Sequence, residues 1–93
     1  MRLRLKEKVM KIDTELRGQI FEVIKNQIMS NDPPETKLTY DRLIALGYSE
    51  FETKQLIGQC VALEMFTVIK EQLPFNEARY VKNLKQLPKE PFD

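Results

Sequence analysis

Residues 49–71 read SEFETKQLIGQCVALEMFTVIKE. Ser49 and Glu52 have the spacing of a capping box, in which each side chain accepts a hydrogen bond from the other residue's backbone N–H. The apolar side chains that follow are spread around most of the helix circumference and not along one face. Since a helix that is apolar on nearly all sides is a buried one, the stretch predicts a central, hydrophobic helix that ends at about Glu71.

A long helix is predicted earlier in the chain, from about Leu5 to Met29. Apolar residues recur there at spacings of three and four, the period of one helix face. Pro33 and Pro34 stop it, because proline lacks the N–H that the helical ladder needs. Residues 1–5 alternate apolar and basic side chains, which is not a helical pattern. We therefore predict that this segment precedes the helix and can be disordered.

A second helix is predicted between these two. Asp32 is placed to be its N-cap, with Pro33 at the first helical position and Glu35 at the third. Gly47 is expected to end the helix in the left-handed conformation. The inner face is expected to hold Leu38, Tyr40, Leu43 and Ile44.

A fourth helix is predicted after Pro74, with Asn76 as its N-cap and Phe75 packed on Tyr80 as a hydrophobic staple. Its inward stripe is expected to hold Tyr80, Val81, Leu84 and Leu87. The pattern therefore predicts an all-α fold. We expect a four-helix, mostly antiparallel bundle with a long first helix and a central hydrophobic third helix. It forms one domain over residues 1–93, with a polar tail at 88–93.

The first predicted helix is long for a chain of 93 residues. A straight helix of about 25 residues is roughly 38 Å long, whereas a domain of this size is about 32 Å across. Either the helix bends near Gly18, or its apolar stripe extends beyond the domain and faces a partner. The second possibility makes this stripe the candidate face for a homodimer or another protein partner: Val9, Ile12, Leu16 and Phe21.

The residue inventory indicates a non-enzymatic protein. The chain has no histidine, the commonest general base and metal ligand, and one cysteine. Its three glycines are isolated, so no phosphate-binding loop is present. We therefore expect no catalytic residues, no metal and no cofactor. Cys60 is interpreted as a small buried hydrophobe, and a single cysteine fits a reducing, cytoplasmic setting. The most apolar run is too short and too polar to span a bilayer.

Glu64 interrupts an apolar stripe of the third helix and needs a hydrogen-bond donor if it is buried. We expect a buried polar cluster in which Asn26, Gln27 or Arg79 donates a hydrogen bond to Glu64. A structural role is favoured over a functional carboxylate.

A basic segment opens the chain. Residues 1–11 hold five cations and one glutamate, a net charge of +4, so the remaining residues carry −3. The candidate phosphate contacts are Arg2, Arg4, Lys6 and Lys8. Because no aromatic residues are interleaved with them, a solvated face is favoured over a nucleic-acid site. A nucleic-acid-associated factor therefore stays an alternative to the leading prediction, a protein-interaction or homo-oligomerising module.

Four fragments between about Arg17 and Pro88 occur in a characteristic order: Asn26-Gln27-Ile28, Asn31-Asp32-Pro33-Pro34-Glu35, residues 43–49 with Leu46-Gly47-Tyr48-Ser49, and Pro74-Phe75-Asn76-Glu77-Ala78-Arg79-Tyr80. Together they resemble a bacterial family of small all-helical proteins without an assigned activity. The resemblance implies a helical bundle and a cytoplasmic bacterial source. Some members carry two histidines and a glutamate on one face of the first helix, where this chain has Arg17, Phe21 and Lys25. A small metal-dependent enzyme is therefore the disfavoured alternative.

Overall fold

The computed structural model describes residues 14–91, which form four helices and no strand. They are α1 (Thr14–Ser30), α2 (Pro34–Ala45), α3 (Glu50–Glu71) and α4 (Glu77–Gln86). α3 packs against each of the other three helices, while α2 also packs against α1 and α4. The predicted all-α four-helix fold with a central third helix is confirmed. None of these described helices combines the length and the hydropathy needed to cross a membrane.

The core takes residues from all four helices, and one part of it lies where α1 crosses α3. Gly58 is buried in α3, and a Cβ at this position would lie 3.3 Å from Cγ2 of Ile20, closer than most side chains tolerate. The absence of a side chain at Gly58 therefore lets α1 approach closely. Around this crossing the buried apolar residues form one cluster: Ile20, Ile24, Leu43, Ile57, Cys60, Val61, Ala62, Tyr80, Leu84 and Leu87.

The connection between α1 and α2 corrects the predicted N-cap. Asn31 is left-handed, with φ of 54°, and the N–H groups of Asn31 and Asp32 donate to the carbonyls of Ile28 and Gln27. These two bonds form a Schellman motif, so Asp32 belongs to the end of α1. The N-cap of α2 is Pro33, which has no side-chain cap bond, and Pro34 is the first helical residue.

The inner face of α2 also differs from the prediction. Leu38 and Ile44 are exposed, whereas Thr36, Thr39 and Leu43 are buried. The last three are spaced by three and four, so they share one face of the helix. The buried face of α2 therefore contains Thr36 and Thr39, whose hydroxyls can be hydrogen-bonded inside the bundle. It does not contain the larger aliphatic side chains of Leu38 and Ile44.

The predicted end of α2 is confirmed. Gly47 has φ of +105°, and its N–H donates to the carbonyl of Ile44. The N–H of Tyr48 donates to the carbonyl of Leu43 at 3.2 Å, which completes a second Schellman motif. A residue with a Cβ would be strained at this φ, so glycine suits the position.

The caps of α3 and α4 are confirmed as well. Ser49 and Glu52 form the full capping box, with both reciprocal bonds present. Asn76 Oδ1 accepts from the N–H of Arg79 at 3.0 Å. The rings of Phe75 and Tyr80 meet edge to face with centroids 5.4 Å apart, as expected for the staple. Tyr80, Leu84 and Leu87 are buried as predicted, while Val81 is half-buried.

Candidate functional site

Glu64 and Arg79 are brought together at the α3–α4 junction. The Glu64 side chain is fully buried, and its carboxylate accepts from Nε of Arg79 at 2.6 Å and from Nη2 at 2.9 Å. The N–H of Asn76 donates to Glu64 Oε1 at 3.1 Å. Hydrogen bonding to Glu64 raises the pKa of Arg79. A depression of about 390 Å³ borders the junction, and Asn76 and Arg79 line it, whereas Glu64 does not. The buried carboxylate accepts from three donors, so the arrangement is that of a structural node.

Gln27 belongs to a different cluster, and Asn26 is exposed. Gln27 Oε1 accepts from the Thr36 hydroxyl at 2.8 Å and from the Tyr80 hydroxyl at 2.7 Å. This cluster ties α1, α2 and α4 together through side chains. The sequence prediction missed Thr36 and Tyr80 as partners, because no local pattern reveals a bond between residues so far apart in the chain.

Cys60 is a fully buried core residue. Burial, with a smaller contribution from the charge of Glu64, raises the pKa of its thiol to about 12. A thiol with this pKa is protonated at neutral pH and is therefore a poor nucleophile. Among residues 14–91, no three His, Cys, Asp or Glu side chains are close enough together to hold a metal ion.

The predicted partner face is only partly described. Val9 and Ile12 lie outside the described residues, as do the four candidate phosphate contacts Arg2, Arg4, Lys6 and Lys8. Leu16 and Phe21 are half-buried and pack against the core cluster. These two side chains therefore contact the core of the domain and do not form a fully exposed apolar stripe.

An open groove lies beside α1 instead. It has a volume of about 400 Å³. Phe21, Ile24 and Ile28 of α1 form its apolar side, and Tyr40 of α2 and Lys54 of α3 line it opposite. The Tyr40 hydroxyl donates to Glu50 Oε1 at 2.9 Å. Desolvation and this bond raise the pKa of Tyr40, so its ring presents a neutral surface to the groove.

A stripe on the exposed side of α1 forms the lip of this groove: Gly18, Glu22, Lys25 and Met29. All four residues are exposed, and Met29 is 75% exposed. Within residues 14–91 neither Glu22 nor Lys25 has an ion-pair partner. Protein interfaces combine an apolar core with a polar rim and are enriched in methionine. The groove likewise has an apolar floor, a charged lip and an exposed methionine.

Arg17, Phe21 and Lys25, which the resemblance predicts to stand where some relatives carry metal ligands, are also on α1. Arg17 and Lys25 are exposed, and the Phe21 ring packs edge to face on Phe51 with centroids 6.0 Å apart. No family model matches the chain, and neither a curated protein nor a solved structure is significantly similar to it. The family resemblance therefore stays a prediction.

Proposed function

We propose that this chain is a non-catalytic protein-interaction module and that the groove beside α1 is its contact surface. The groove carries the proposal because it combines an apolar floor with charged groups that have no partner within residues 14–91. Phe51, which is 52% exposed, extends the apolar area beyond Phe21. Aromatic and methionine side chains are enriched in interfaces, whose rim is polar.

The buried chemistry favours the same proposal over an enzyme. Cys60 is protonated and inaccessible, and the Glu64 carboxylate is engaged by Arg79 and by the N–H of Asn76. The proposal retains the cytoplasmic setting expected from the sequence and the bacterial source that the family resemblance implies.

The test uses a photo-reactive amino acid incorporated in the cells that make the protein. One variant carries it at Met29 on the groove lip, and the matched control carries it at Lys82, an exposed residue of α4. We expect cross-linked protein from the Met29 variant and not from the control. The captured protein, once purified, should bind the wild type and bind Met29→Asp at least about tenfold more weakly, since a carboxylate would be desolvated in the contact. Equal labelling from both positions, or none from Met29, would contradict the proposal.

A nucleic-acid-associated factor is the second candidate, favoured by the five cations in residues 1–11. Phosphate contacts of this kind weaken steeply with salt. Retention on heparin at low salt that disappears at high salt would support this candidate. Flow-through at low salt would eliminate it.

A further inference from the structure

We infer that the groove beside α1 binds a second copy of this chain, with the two α1 helices antiparallel across a two-fold axis. The inference rests on the proposed function and names the partner. It is carried by the self-complementary arrangement of Gly18, Glu22, Lys25 and Met29, which we call the α1 stripe.

The spacing of the α1 stripe is four, three and four residues. At 3.6 residues per turn these positions fall within about 60° of the helix circumference, so they form one narrow line along α1. This is the spacing by which two helices pack lengthwise. All four positions are exposed, so the line is open to a partner helix.

The charges of the α1 stripe are complementary to themselves. Glu22 and Lys25 have opposite signs, and neither has an ion-pair partner within residues 14–91. In a two-fold interface, a contact from one residue to another is repeated in reverse. An axis midway between residues 22 and 25 therefore places Glu22 of each copy against Lys25 of the other.

The same axis accounts for the two ends of the α1 stripe. Gly18 and Met29 are equally far from its midpoint, so Met29 of one copy faces Gly18 of the other. Met29 is 75% exposed. Within residues 14–91, and apart from its chain neighbours and the backbone of α1 itself, nothing lies within 4 Å of the position that a Cβ at Gly18 would occupy. A glycine weakens a helix interior relative to alanine, and no neighbour within residues 14–91 requires one here. A flexible methionine is suited to filling such a space.

Charge also selects between possible occupants. Glu22, Lys25 and Lys54 line the groove and give it a net positive charge. The chain's own residues 1–11 carry a net charge of +4, and like charges disfavour that segment as the occupant. A second copy instead places Glu22 of each chain against Lys25 of the other.

Charge reversal tests the inference in the full chain. Sedimentation equilibrium from the micromolar to the millimolar range should show a monomer–dimer equilibrium for the wild type. Glu22→Lys and Lys25→Glu should each weaken the dimer about tenfold, because every substitution changes two symmetry-related contacts. The double variant Glu22→Lys/Lys25→Glu restores opposite charges and should recover the wild-type dissociation constant to within about twofold.

Lys82→Glu is the control, because it makes the same charge change as Lys25→Glu on an exposed position of α4 and should leave dimerisation unchanged. Circular dichroism checks that each variant is folded. A monomer throughout the range, single variants that dimerise like the wild type, or a double variant without recovery would each overturn the inference. If the wild type is a monomer while the Met29 photo-probe still captures a different protein, the proposed function stands and only the second copy is rejected.

Discussion

Replacing Arg79 by alanine removes the main partner of a buried charge. The Glu64 side chain is fully buried and accepts two bonds from the guanidinium of Arg79, at 2.6 and 2.9 Å. In Arg79→Ala the carboxylate keeps only the N–H of Asn76 at 3.1 Å. Its desolvation is then poorly compensated, so the folded state should be destabilised.

The size of the loss in unfolding free energy depends on how exposed Glu64 and Arg79 are. Breaking a wholly buried ion pair costs about 3–5 kcal/mol. The Arg79 side chain is 38% exposed, so water can reach the space that it leaves, and we expect a loss of about 2–3 kcal/mol. A domain of 93 residues has a free energy of unfolding of about 5–14 kcal/mol. The variant should therefore remain folded, with Tm lowered by about 8–20 °C.

Urea unfolding followed by circular dichroism measures this loss. The companion variant Glu64→Gln removes the charge but keeps an acceptor, so it should cost about 1 kcal/mol. The double variant Glu64→Gln/Arg79→Ala should be more stable than the sum of the single losses implies, because the unpaired buried charge is gone. An Arg79→Ala variant within about 0.5 kcal/mol of wild type would refute the reasoning. Unchanged Tm in Glu64→Gln, with loss of partner binding, would instead indicate a functional carboxylate.

Burial raises the pKa of Tyr80 to about 12. The stability contributed by the neutral Tyr80 side chain is therefore complete below pH about 10, the pKa of an unfolded tyrosine, and is lost as pH rises through the folded pKa. Phenolate absorbance should show one tyrosine that ionises at about pH 12. The Cys60 thiol, whose pKa burial raises to about 12, should react with a disulfide reagent in urea but not in the native protein. Gly47→Ala should cost about 1–2 kcal/mol in urea unfolding because of its φ of +105°. Gly18→Ala is its matched control and should stabilise the monomer by up to about 1 kcal/mol, since Gly18 lies within α1 and no side chain of residues 14–91 lies within 4 Å of an added Cβ.

Helix boundaries could be predicted from the sequence because the signals that set them are local. The capping box at Ser49, the N-cap at Asn76 and the left-handed Gly47 each act within one turn of a helix. The exception is Asp32, whose N–H completes the Schellman motif at the end of α1. The N-cap of α2 is the next residue, Pro33.

Contacts between helices were less predictable, because they depend on partners far away in the chain. The guanidinium of Arg42 donates to the carbonyls of Leu87 at 2.7 Å and Leu84 at 3.1 Å, and so caps the end of α4 from α2. Thr36 is buried because the Gln27 amide oxygen accepts its hydroxyl. For the hydrogen-bond donor to Glu64, residue types in the sequence indicate three candidates. The packing of α4 on α3 determines that the donor is Arg79.

The contact surface that we propose lies beside the helix to which the sequence pointed, but mainly on another face. Apolar periodicity pointed to Leu16 and Phe21; both pack against the core, and Phe21 also lines the groove. Gly18 and Met29 do not belong to the apolar repeat of α1. That they lie on the same exposed side of the helix, along the groove, becomes apparent only in the folded structure. A sequence pattern shows which side of a helix is apolar, but it does not show which side the rest of the domain leaves uncovered.

Disulfide trapping between two single-cysteine additions tests the α1 interface most directly. Gly18→Cys and Met29→Cys proteins are mixed under mild oxidation, and mass spectrometry identifies the products; the native Cys60 is buried and stays silent. Residues 18 and 29 should face each other, whereas two copies of either position lie about 16 Å apart along the helix axis, beyond the reach of a disulfide. We predict that the mixed disulfide between positions 18 and 29 forms in large excess over the two homodimers. Products in the proportions of random pairing would contradict the account.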